Sequence, residues 1–130
     1  MILKELKGEY CNITLRSDDV LEITTFKDVE YDDSQTAIVI RDILSITEGK
    51  QYYLLILSGQ YSNITAESMQ TLAGPLAMSY AIAKAYVINS PAQRIMANFF
   101  LSNLKPDKPV KFFLSQEKAE EWISSLKSAV

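Results

Sequence analysis

The sequence predicts one α/β domain over residues 1–130: a mixed sheet of about five strands, an N-terminal hairpin followed by parallel β-α units, covered by about four helices. Three observations predict it. Two N-terminal segments alternate apolar and polar residues, as half-buried strands do. Two later segments, Tyr52–Leu57 and Ala83–Asn89, are almost continuously apolar, as strands covered on both faces are. Each of these is followed by a helix-start signal, and strand–helix alternation implies right-handed parallel crossovers. The strand order is left open.

The elements follow in turn. Glu9–Arg16 alternates Cys11, Ile13 and Leu15 against Tyr10, Asn12 and Thr14. Ser17-Asp18-Asp19 reads as a turn, and Val20–Phe26 alternates again, which completes an antiparallel hairpin. Lys27–Asp32 is a polar connection. Asp32 or Asp33 then caps a helix with Ala37, Ile40, Ile43 and Leu44 on its apolar face, ended by Gly49. After the strand Gln51–Leu57 comes a loop, Ser58–Asn63. Thr65 caps a second helix carrying Met69, Leu72 and Ala73 as its buried stripe, and Gly74-Pro75 interrupts it before a short helical piece at Leu76–Tyr80. Ser90-Pro91 starts the next helix, running to about Leu104. Val110–Leu114 is the last strand. Ser115 caps a final helix with Ala119, Trp122, Ile123 and Leu126 at i, i+3, i+4 and i+7.

Composition narrows the chemistry. The chain is 48% apolar and 22% charged, which argues against disorder. It contains no histidine, so Ser-His-Asp and Cys-His nucleophilic sites are impossible within it. One cysteine, Cys11, excludes an internal disulfide and a Cys/His zinc site, and its strand position makes it a small buried hydrophobe. No glycine-rich phosphate loop is present. No cofactor and no metal are expected. Asp18-Asp19 and Asp32-Asp33 could do carboxylate-only chemistry, but capping and solvation account for both pairs. The expectation is therefore that the protein is not an enzyme. Residues 1–65 carry six Lys/Arg against eleven Asp/Glu, and residues 66–130 seven against five; neither half is the basic face that nucleic-acid binding needs. The apolar stretch Leu72–Ile88 is broken by Gly74-Pro75 and Lys84, so no transmembrane helix is expected. The charged N-terminus, with Lys4, Glu5 and Lys7, lacks the apolar run of a signal peptide and predicts a cytoplasmic protein.

The stretch Tyr86–Ile123 carries Asn89-Ser90 at a strand end, Arg94 and Ala97–Phe100 in the next helix, a Lys105-Pro106 turn, Phe112-Phe113 and Glu121-Trp122. In these it resembles small bacterial proteins with a SpoIIAA-like fold, grouped with STAS domains and CRAL-TRIO lipid-transfer domains. Ile56-Leu57-Ser58-Gly59 is similar to the STAS Asp-Leu-Ser-Gly segment, lacking its Asp. Where that family places a phosphorylated serine at a helix start, this chain has Ala66 or Glu67, so the resemblance implies no phosphorylation switch of that kind. It implies a non-catalytic regulatory module that acts by protein–protein contact, including a possible homodimer. The CRAL-TRIO side of the resemblance implies a small amphiphile as the alternative ligand, although ~130 residues leave little room to enclose several hundred Å³ beside a packed core.

Ligands of open α/β sheets gather beyond the carboxyl ends of the strands. Two loops are expected at that edge, and the candidate binding residues are Ser58, Gly59, Ser62, Thr65 and Glu67 from the first, with Asn89, Ser90, Arg94 and Asn98 from the second and its helix. Backbone N–H groups there could hold an anion. The plainer reading is that Ser90 caps, Asn89 turns the chain and Arg94 is solvated. The helix after Pro91 carries two apolar stripes, Ile95/Met96/Phe99 and Phe100/Leu101/Leu104, beside a polar strip of Gln93, Arg94, Asn98 and Ser102. The second stripe is either buried or meets a partner. Lys84, Arg94, Lys105, Lys108 and Lys111 form a basic rim, suited to an anionic headgroup or simply solvated.

Overall fold

The computed structural model describes residues 1–129. Its sheet has six strands in the order β1-β2-β3-β5-β7-β8. The expected hairpin is β2 (Cys11–Arg16) and β3 (Val20–Thr25), paired antiparallel with Ile13 opposite Ile23. Asp19, at positive φ, makes its turn. β5 (Tyr52–Leu57), β7 (Ala81–Val87) and β8 (Val110–Phe113) then add in parallel, with β5 central and buried as its sequence requires. β7 begins two residues before the predicted start, because Ile82 bulges out between the Tyr52–Ala81 and Tyr53–Ala83 pairs.

Two features depart from the expected count. β1 (Ile2–Lys7) adds a sixth, edge strand against β2. It is almost wholly exposed, so no buried face marked it in the sequence. β4 (Glu30–Tyr31), inside the segment read as a polar connection, pairs with β6 (Asn63–Ile64) as a two-residue ladder. Five helical pieces cover the main sheet: α1 (Asp33–Thr47), α2 (Ala66–Ala73), the single turn α3 (Pro75–Met78), α4 (Pro91–Asn103) and α5 (Gln116–Ser128).

Cap chemistry explains where the helices start. Asp32 accepts from the Ser34 and Gln35 amides while Gln35 returns a bond to the Asp32 amide, a full capping box. Thr65, Ser90 and Ser115 cap α2, α4 and α5 through their hydroxyls, as predicted. α1 ends where Glu48 and Gly49 both take positive φ.

The strand order runs monotonically from β3 to β8, so three crossovers of one hand put their helices on one side. Along that side run Leu21, Leu54 and Lys84 in one register row, and Ile23, Ile56, Tyr86 and Phe112 in the next. Phe112 meets Phe100 of α4 edge to face at 5.6 Å and stacks on Tyr86 at 5.0 Å. The chain returns from β8 as α5 on the opposite side, where Val20, Tyr53, Leu55, Ala83 and Ala85 pack with Ala119 and Ile123.

Two helices sit in a different phase from the one predicted. In α1 the buried residues are Thr36, Ile40, Ile43, Ile46 and Thr47, while Ala37 and Leu44 are exposed. A buried hydrogen bond from Thr36 Oγ1 to Ser68 Oγ, 3.1 Å, ties α1 to α2 in this phase. In α4 the inward residues are Gln93, Ala97 and Phe100; Ile95 and Leu101 face outward. Gln93, expected on the polar strip, is buried because its amide finds partners below, which removes the usual cost of burying it.

Candidate functional site

The two predicted loops do meet at the carboxyl edge of β5 and β7, and hydrogen bonds join them. Asn89 Nδ2 donates to the Ser58 carbonyl at 2.9 Å. Gln93 Nε2 donates to the carbonyls of Gly59 (3.0 Å) and Ser62 (2.9 Å), and its Oε1 accepts from the Asn89 amide at 2.8 Å. Ser62 Oγ donates to the Gly59 carbonyl at 2.7 Å. Gly59 donates its amide to Thr25 Oγ1 at 2.8 Å. Its backbone passes so close to Phe26 and Lys27 that a Cβ would lie 2.5 Å from the Phe26 carbonyl carbon, so only glycine fits.

These bonds occupy much of the predicted site's polarity. The Thr65 and Ser90 hydroxyls accept from the Ser68 and Gln93 amides, each at 3.2 Å. Glu67, Arg94 and Asn98 are exposed and lie apart from this network. Three of the four carboxylates of the acidic pairs are similarly engaged. Asp32 caps α1, Asp33 accepts from Ser68 Oγ at 3.3 Å, and Asp18 pairs with Arg16.

Beneath the joined loops lies a cavity of about 110 Å³, walled by the sheet, α1, α2 and α4. Ile23, Leu54, Ile56, Met69, Leu72 and Met96 give it apolar walls, and of the nine predicted site residues Ser58 and Ser62 line it. Lys84 also lines it, and this overturns its place in the basic rim: Lys84 is 2% exposed. Its strand phase puts it beside Leu54 and Tyr86 on the inner face, and its Nζ donates to the Leu72 carbonyl near the end of α2 at 3.1 Å. Burial, with a smaller contribution from Lys108, lowers the Lys84 ammonium to about 7. Lys108 itself reaches the Met78 carbonyl at 2.7 Å.

Two further polar atoms are buried without a partner among the described residues, the Tyr80 hydroxyl and Asn63 Oδ1, and both residues line the cavity. Burial pushes the Tyr80 and Tyr86 phenols above their ordinary range, so they stay neutral. No carboxylate lines the cavity among the described residues. Gln93 and Tyr80 were not among the predicted site residues, and Lys84 was named only as part of an exposed basic rim. The one available signal was a charge at the centre of an apolar strand, Ala-Lys-Ala-Tyr. Cys11 is a buried thiol raised to about 12, mainly by burial, as its strand position predicts. Among the described residues no helix is long and apolar enough to cross a membrane, and no cluster of His, Cys, Asp and Glu could hold a metal ion.

The fold has a solved counterpart. The chain is similar to an uncharacterized protein from the DUF3478 family with a SpoIIAA-like fold, from Shewanella loihica PV-4. The TM-score is 0.56 at 16% identity, over 94% of this chain and 98% of that one, which establishes a SpoIIAA-like fold here. No curated protein matches. The family model of a domain of unknown function, DUF7793, matches residues 13–127, and the chain belongs to that family.

Proposed function

We propose that this protein is a non-catalytic, regulatory binding module that takes a small apolar or amphiphilic molecule into the cavity under the Ser58–Thr65 loop. The observation that carries this reading is the cavity itself: an apolar chamber containing a buried amine and a buried phenol without a partner. Such a mixture of apolar walls and a few polar groups is the usual make-up of a small-molecule site. A chamber of about 110 Å³ suits a ligand of roughly benzene size rather than a long-chain lipid. The absence of histidine, with Asp32 in a helix cap and Asp18 in an ion pair, supports a binding role over catalysis. A bacterial, cytoplasmic setting belongs to the same proposal. Native mass spectrometry of freshly purified protein, with thermal shift against a panel of small apolar compounds, tests it. A co-purified mass or a shift supports the reading; a bare chain from several hosts with no shift sinks it.

Protein contact is the second reading, and one observation favours it. Tyr61 at the loop tip and Ile95 on α4 are each 68% exposed, and Leu101 near the end of α4 is 61% exposed, so the loop and helix present apolar side chains outward. The occupant would be a partner protein or a second copy of the chain. Light scattering on wild type and on Ile95→Asp tests the dimer: a dimer lost in the variant supports it, and a monomer at high concentration rules it out.

A further inference from the structure

We propose that the cavity recognises a small monocarboxylate, its carboxyl group held by Lys84 and the Tyr80 hydroxyl. This rests on the cavity being a ligand site and names what the site would select.

Lys84 and Tyr80 both have hydrogen bonds left unmade among the described residues. An ammonium carries three donors. Lys84 spends one on the neutral Leu72 carbonyl, and among the described residues nothing else accepts from it. Tyr80, whose ring centroid is 5.7 Å from Lys84 Nζ, has a buried hydroxyl that no group meets. A carboxylate accepts up to four bonds and brings the opposite charge, so it would satisfy both groups at once. A phosphate fits worse. It carries more charge than the cavity's one cation among the described residues can balance. Asn63 Oδ1, being an acceptor, has no part in holding the carboxylate; it leaves room for a hydroxyl on the ligand's tail. The volume limits that tail to a few carbons, roughly seven non-hydrogen atoms in all.

A pH dependence follows. The groups facing Lys84 are Tyr80 and Tyr86 beside it, Tyr31 across the cavity and Lys108 from the connection before β8. The three phenols are raised by burial, so Lys84 alone among the lining residues titrates near neutrality. Below about 7 the free protein already holds the proton that a carboxylate needs. Above it, binding must take that proton up from solvent, so affinity falls by about tenfold per pH unit.

The experiment is calorimetric or NMR titration of the full chain with isovalerate and with its neutral isostere isovaleramide, at about pH 6 and about pH 8.5. Isovalerate is expected to bind at least about tenfold more tightly at the lower pH, as a charge-assisted bond warrants. Its advantage shrinks at the higher pH, while isovaleramide is unaffected. Lys84→Met is expected to abolish the advantage of isovalerate over isovaleramide. Equal binding of the two compounds at both pH values overturns the carboxylate proposal and leaves the cavity reading standing. Binding of neither to wild type overturns both. If Lys84→Met does not fold, the wild-type pH series decides alone.

Discussion

The two faces of one sheet are finished in opposite ways. On the α5 face, β7 presents Ala83 and Ala85, small residues that pack with Ala119 and Ile123 and let helix and sheet approach closely. Charges on that side are paired at the rim. Arg16 bonds Asp18 at 2.5 Å, Glu120 at 2.8 Å and Glu22 at 3.1 Å, and the Arg16 hydrogen bonds hold the Asp18 carboxyl below its usual range. On the opposite face the same strand presents Lys84 and Tyr86, whose bulk and polarity hold α2 and α4 off the sheet and leave the cavity. One β-strand thus builds a closed face and an open one by alternating small and large residues. A sheet packed equally on both sides would have no place for a ligand.

Core substitutions should break that comparison with the largest effect. Ala119→Leu forces three carbons into the closed face and is expected to cost about 2–3 kcal/mol. Ala97→Leu adds the same carbons beside the cavity and is expected to stay within about 1 kcal/mol of wild type. Urea denaturation of both variants checks this; equal losses would mean the two faces are equally full.

Lys84 sharpens the comparison through pH. Its folded-state value, near 7, lies below the ordinary lysine range of the unfolded chain. Between these values the unfolded state binds more protons, so stability rises with pH. From about pH 7 to about pH 9 the gain is about 1.4 kcal/mol per unit. Below about 7 both states are protonated and the full cost of burying the charge remains. Lys84→Met should lose this slope and gain most over wild type at the acid end. Parallel stability–pH curves for the two proteins would refute it. Cys11, raised to about 12, acts with the opposite sign, but only above its unfolded value of 9.0.

The joined loops come next. Gln93→Leu leaves the Asn89 amide and the Ser62 carbonyl without the Gln93 side chain, while the Gly59 carbonyl keeps its Ser62 donors, for a loss of about 2 kcal/mol. Hydrogen exchange across residues 58–65 should quicken; unchanged exchange would show that the roof of the cavity is held by other means. The smallest effect expected is from Ser90→Ala. Loss of the α4 cap should lower stability by about 1 kcal/mol and leave ligand affinity unchanged. A selective loss of affinity would restore Ser90 to the binding site.

Local rules made much of this legible. Ser90-Pro91 predicted the start of α4, and Thr65 and Ser115 predicted theirs, because a cap is a contact between residues a few positions apart. That the two loops meet at one sheet edge was legible; the bonds that join them were not. The sequence placed both loops at one edge, but Ser58, Gly59, Asn89 and Ser90 turn out to bond the chain to itself or to fit its close approaches. The rotation of α1 and α4 was also beyond a periodicity argument. Each helix has more apolar residues than one face can bury, so the Thr36–Ser68 and Gln93–Ser62 bonds between distant segments settle which face turns inward.

By itself, then, the sequence determined the α/β class, the hairpin, the buried strands and the helix starts, since these follow from period, run length and caps. The tertiary structure alone decided the strand order, the edge strand β1, the phase of two helices and the cavity. Those depend on pairings and volumes set by residues far apart in the chain. Lys84 joins the two levels: its sequence position shows a charge in an apolar strand, and the fold turns that charge toward a chamber with no carboxylate among its described walls.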